Sequence, residues 1–122
     1  MHRFKPQVIM VYFNIPESLK NKYHINILMI QNYSNPEKVF QNAKRIYGND
    51  VKIKLSTRKD KKYMLLNPNT NKWIHFGTMK QPMEDYTKHH DERRRQLFRL
   101  RNQKWAEQDL YSPGFASYFH LW

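Results

Sequence analysis

The stretch "KYMLLNPNTNKWIHF", residues 62–76, decides the fold. Two short segments rich in aromatic and aliphatic residues, Lys62 to Leu66 and Trp73 to Phe76, flank "NPNTN", a run of asparagine, proline and threonine. Such a run favours a tight turn, so the pattern predicts a β-hairpin. Whether Trp73 or Ile74 faces the core depends on the register. Just upstream, Val51, Ile53 and Leu55 alternate with Lys52, Lys54 and Ser56. That alternation predicts a strand with one buried face and lysines on the other.

Working outward, Ser34-Asn35-Pro36-Glu37 reads as a helix start. Val39, Phe40, Ala43, Ile46 and Tyr47 recur at three- and four-residue spacing before Gly48, which predicts a helix over 36–47. Further towards the N-terminus, Gln7 to Phe13 and Tyr23 to Ile30 are short and rich in Val, Ile, Tyr and Phe, and read as strands, with helix as the competing reading of the second. Downstream of the hairpin, "GTMKQPM" is a loop. A long helix is then predicted, capped by Asp85 or Thr87 and running to about Glu107. Leu97, Phe98, Leu100, Arg101 and Trp105 give its core-facing side.

The resulting expectation is a single α+β domain over residues 1–122. Its order is β-β-α-β-β-β-α, a mixed or antiparallel sheet of about five strands covered by two helices.

The chain has 122 residues, no cysteine, three glycines and 15% aromatic residues. Its length suits one domain, and its large rings must fill much of the core. Without cysteine there is neither disulfide nor thiolate chemistry, so packing or a partner must supply the stability. No apolar run reaches the length of a membrane span and no secretory leader is recognisable, so the protein is expected to be neither transmembrane nor secreted. Formal net charge is +12, which favours nucleic acid, an anionic membrane surface or an acidic protein as partner.

The most charged segment is "EDYTKHHDERRRQLFRLR", residues 84–101. His89, His90, Asp91 and Glu92 are good metal and acid-base groups, but adjacent histidines on a helix point about 100° apart, whereas a metal pair needs three- or four-residue spacing. Asp85 with His89, Thr87 with Asp91 and His90 with Arg94 read better as caps and helix-side pairs. We therefore expect no catalytic residue, no metal, no cofactor and no small-molecule substrate. Charge bookkeeping also separates this segment from the basic surplus. Residues up to Met83 hold 15 basic against 4 acidic side chains, or +11, while those from Glu84 onward hold 7 against 6, or +1. Asp85, His89, Asp91, Arg94, Arg95 and Arg101 are accordingly expected to form ion pairs or subunit contacts. The candidates for contact with a polyanion are Lys52, Lys54, Arg58, Lys59, Lys61 and Lys62, against the plainer reading of a solvated sheet edge. In the C-terminal "GFASYFHLW", Phe115, Tyr118, Phe119 and Trp122 are aromatic anchors. They either fold back on the domain or dock on a neighbouring subunit.

Several of these residues combine into a recognisable pattern: Lys61-Lys62-Tyr63, His75-Phe76-Gly77, Asp85-Tyr86-Thr87 followed by His89, Asp91, Arg94 and Arg95, then Phe98, Arg101, Gly114-Phe115 and Leu121-Trp122. The combination resembles a family of small basic proteins of large nucleocytoplasmic DNA viruses. The likeness covers residues 61–122, and residues 1–60 carry no part of it. The resemblance implies a non-enzymatic component of the virion, a minor capsid protein bridging larger capsid or virion subunits. The runner-up reading is a nucleic-acid-binding or genome-packaging protein.

Overall fold

A computed structural model describes residues 29–81 and 83–122. The helix expected from Asn35 and Pro36 forms as α1, Pro36–Tyr47. Asn35 caps it by accepting the Lys38 N–H at 3.3 Å, Pro36 occupies the first turn, and the N–H of Gly48 returns to the Lys44 carbonyl at 2.9 Å. Gly48 sits at φ 94°, a conformation that costs a side-chain-bearing residue far more than glycine. The inward stripe of α1 is Val39, Phe40 and Ala43, all buried. Removing a side chain such as Phe40 from water contributes about 2–3 kcal/mol.

β1 (Ile53–Leu55), β2 (Lys61–Asn67) and β3 (Lys72–Thr78) form one antiparallel sheet in that order. The register pairs Tyr63 with Phe76 and Leu65 with Ile74 across the hairpin, and Ile53 with Leu65 across the other edge. It is Ile74, not Trp73, that packs on the core with Tyr63, Leu65 and Phe76. In the turn, the Asn67 side chain accepts the Asn69 N–H at 2.9 Å and Asn71 takes a positive φ of 56°. Asparagine tolerates that region better than most residues.

After the sheet come α2 (Tyr86–His89), α3 (Glu92–Arg101), a 3₁₀ turn (Gln103–Glu107) and α4 (Pro113–Ala116), which runs on into a π-type turn (Ser117–Leu121). The described residues thus hold three strands in one sheet and four α-helices, in the order α-β-β-β-α-α-α. This corrects the expected five strands and two helices. Gln7 to Phe13 and most of Tyr23 to Ile30 lie outside the described residues; Met29 and Ile30, at the end of the second, are helical rather than extended.

The long helix predicted from Asp85 to Glu107 is also broken, and the cause is local. His90 adopts the left-handed conformation at φ 56°, and the Asp91 N–H is taken by Nδ1 of His89 at 2.8 Å rather than by a helical carbonyl. Asp91 then caps α3 by accepting the Arg94 N–H at 3.1 Å. Short polar side chains compete with the helical ladder in this way.

The core joins Ile30, Val39, Phe40, Leu55, Tyr63, Leu65, Phe76, Ala116 and Leu121, with α1 and the C-terminal segment packed against the sheet. Gly77 makes one close approach possible. At φ 79°, a Cβ there would stand 3.0 Å from both Leu121 Cδ1 and Lys62 Cβ. Gly77→Ala is therefore expected to lower stability by about 1–3 kcal/mol through backbone strain and crowding together. A urea midpoint equal to that of the wild type would contradict this account.

Candidate functional site

The residues of the charged segment and their neighbours fold into two linked clusters. In the first, Lys62 of β2 is 4% exposed and Asp85 is 1% exposed, and Lys62 Nζ lies 3.1 Å from Asp85 Oδ2. The ammonium group also donates to the carbonyls of Met83 at 2.9 Å and Tyr33 at 3.4 Å, so each of its three protons has an acceptor. Burial pushes the Lys62 pKa down, and the Asp85 charge opposes that shift.

The other Asp85 oxygen, Oδ1, accepts from the N–H of Thr87 at 3.0 Å and from its hydroxyl. Since Thr87 spends its only hydroxyl proton on Asp85, the 3.2 Å bond between Ser34 and Thr87 must be donated by Ser34. The Tyr63 hydroxyl then donates to Ser34 at 2.7 Å. One directed chain, Tyr63 to Ser34 to Thr87 to Asp85, links the sheet, the entry to α1 and the start of α2. Burial raises the Tyr63 pKa well above its ordinary value, helped by the charge of Asp85, so the tyrosine remains a donor.

The second cluster holds the chain's last residue. Trp122 stacks on Phe98 of α3 with centroids 4.3 Å apart and planes 6° from parallel, and His89 lies against its ring at 5.2 Å. The main-chain oxygen of Trp122 accepts from Arg95 Nε at 2.8 Å and Arg99 Nη2 at 3.1 Å. Each guanidinium rests on a tyrosine ring, Arg95 on Tyr86 at 4.7 Å and Arg99 on Tyr118 at 5.0 Å. Phe115 is buried and packs on Phe119 at 4.5 Å. Within this chain the tail folds back, with Trp122 on Phe98 and His89 and Tyr118 under Arg99.

The paired residues expected from helical spacing are rearranged. Asp85 pairs with Lys62 rather than His89, Asp91 is a cap, and Arg95 holds the tail while meeting Glu92 at 3.6 Å. Arg94 and Arg101 line a cleft of about 690 Å³ beside Phe98 and Trp105. Leu97 and Leu100, expected on the core side, are exposed instead.

The six polyanion candidates are thinned as well. Lys62 is removed from that set by burial. Arg58 is held by Asp60 through Nε and Nη2 at 3.2 and 3.1 Å, and Lys54 sits over the Trp73 ring at 4.7 Å. Lys52 and Lys59 stand exposed, with Lys61 half-buried.

Sequence reasoning missed Ser34, Tyr63 and Arg99 as network members, and Tyr47 with His120. Their partners are distant in sequence, so no local signal marks them. His120 is fully buried, and its Nε2 lies 3.1 Å from the Tyr47 hydroxyl. That hydroxyl donates to the Leu110 carbonyl, so the imidazole must carry its proton on Nε2; among the described residues Nδ1 is buried without a partner. Burial lowers the His120 pKa to about 4. Among the described residues, no three His, Asp or Glu side chains converge as metal ligands would, and no helix is long and apolar enough to cross a membrane.

Residues 51–102, from just before β1 to just past α3, match the model of a family of unknown function, DUF5754. No curated protein and no solved structure matches the chain.

Proposed function

We propose that this chain is a non-catalytic structural protein of a large DNA virus particle, a minor capsid component that bridges larger subunits. The observation that carries the reading is the state of α3. None of its ten residues is buried, and Leu97 and Leu100 are 42% and 65% exposed amid arginines. Arginine is enriched at protein interfaces, and the exposed leucines between the arginines give α3 apolar area to bury against a partner. The charged signature supports the same reading from inside: Lys62, Asp85, Arg95 and the Trp122 ring brace the fold, leaving the outer side of α3 to meet a partner. The resemblance of residues 61–122 supplies the viral setting.

Two measurements test this. Mass spectrometry of purified particles of the encoding virus is expected to find the chain at a fixed stoichiometry, and its absence from particles would defeat the proposal. Replacing Leu97 and Leu100 together by Glu is expected to change the stability of the isolated chain by less than about 1 kcal/mol, because both positions are exposed. The same variant is expected to be lost from particles. Normal incorporation of the variant would move the interface away from α3.

A further inference from the structure

A cleft of about 350 Å³ separates α1 from α3 and the C-terminal turn. Its walls carry four cations, Lys38 and Arg45 from α1 and Arg95 and Arg99 from α3, and among the described residues lining it none is Asp or Glu. The carboxylate that Arg95 does meet, Glu92, is exposed on the helix surface and does not line the cleft. The two arginines of α3 are already oriented by their tyrosine rings and by the Trp122 oxygen. Four cations on the walls of one cleft, with no Asp or Glu among the described residues that line it, repel one another, and an anion there would relieve that repulsion. The rest of the wall mixes apolar and aromatic residues, Ile46, Phe119, Leu121 and Trp122 among them, with the polar Asn42, Thr87 and His90.

The geometry points to a binding site for the phosphate group of a small organic phosphate, with Arg45, Arg95, Arg99 and Lys38 holding the phosphate and the Phe119 and Trp122 side contacting a planar body. Planar guanidinium forks match phosphate oxygens in pairs, and the cleft volume is within the range of small-ligand sites. The burial and the neighbouring Arg95 charge that push the Arg99 pKa down act in the same direction, since both are offset when an anion enters. The site is distinct from the lysines of β1 and β2, and it does not depend on a role in a particle.

The test is calorimetric titration of the full chain with four probes: inorganic phosphate, pyrophosphate, adenosine 5′-monophosphate and adenosine. Pyrophosphate or the monophosphate is expected to bind more tightly than about 1 mM at low salt, with adenosine silent. A monophosphate tighter than pyrophosphate identifies a nucleotide-like ligand, and the reverse identifies a free phosphate species. Arg45→Gln and Arg99→Gln are each expected to weaken the better probe by roughly tenfold or more, as loss of a charge-assisted bond does. Arg45 is exposed and bonds its helix neighbour Asn42, so its replacement reads the cleft without releasing the tail. Lys52→Gln, outside the cleft, is expected to bind as wild type. The proposal is overturned if no phosphate-bearing probe binds, if both arginine variants bind unchanged, or if Lys52→Gln weakens binding as much as they do.

Discussion

Lys62→Met is expected to destabilise the protein by about 3–5 kcal/mol, because it leaves the Asp85 carboxylate buried with no cation. Domains of this size are stable by about 5–15 kcal/mol, so the variant is expected to unfold at markedly lower urea concentration, or to lack a stable fold. Asp85→Asn keeps an acceptor for the Thr87 N–H but strands the Lys62 ammonium, and is expected to cost a similar amount. The two replacements touch one interaction, so the double variant is expected to lose less than the sum of the singles, by at least about 1 kcal/mol. Additive losses would show that the residues act separately. A Lys62→Met variant within about 1 kcal/mol of wild type would show that the pair contributes little. The hydroxyl chain gives the pair its leverage, since Asp85 also fixes Thr87, and through it Ser34 and Tyr63. Loss of the carboxylate therefore loosens the joint between sheet, α1 and α2.

Acid is expected to act through His120. Its folded pKa is near 4 against an ordinary 6.5. The unfolded chain thus binds a proton between these values that the folded chain refuses. Stability is complete above pH 6.5 and falls as pH drops towards 4, by about 3 kcal/mol in total. Beyond that point the folded histidine protonates too, and its contribution to the slope ends. The weakening is expected to start at the tail, because His120 joins the C-terminal turn to α1 through Tyr47 and Asn42. His120→Phe retains the ring volume, loses one hydrogen bond and removes the orphaned Nδ1. At neutral pH it is expected to lie within about 1 kcal/mol of wild type, and at pH 4 to be the more stable of the two. Urea unfolding of both proteins between pH 7 and pH 4 measures the difference. Parallel curves would assign the acid sensitivity to other groups.

How much of this was legible beforehand differs by element. α1 was readable because its signals are local: a cap at Asn35, a proline in the first turn, a 3.6-residue stripe and a closing glycine all lie within fourteen residues. The β2–β3 hairpin was readable for the same reason, since the turn chemistry and the two apolar runs are contiguous. The break at His90 was not. It depends on His89 Nδ1 capturing the Asp91 N–H, a choice between two nearly equivalent local bonds that the surrounding packing of Tyr86 and Trp122 resolves. The exposure of Leu97 and Leu100 follows from that break, because ending one helix and starting another resets which face of α3 turns inward.

For the candidate site, the residues were found but their partners were not. Charge balance singled out Arg95 and hydrophobic composition the terminal aromatics, while helical spacing matched Asp85 to His89 four residues away. In the fold its partner is Lys62, which had been grouped with the polyanion-facing lysines on composition alone. By itself, the sequence determined the local units and the basic balance of the chain, because caps, turns and periodicity act over a few residues and charge is a sum. Tertiary structure alone decided which cation is buried, which is paired and which stays free. Desolvation and hydrogen-bond satisfaction depend on residues brought together from distant segments, as Ser34, Lys62 and Asp85 are, and no local pattern encodes that meeting.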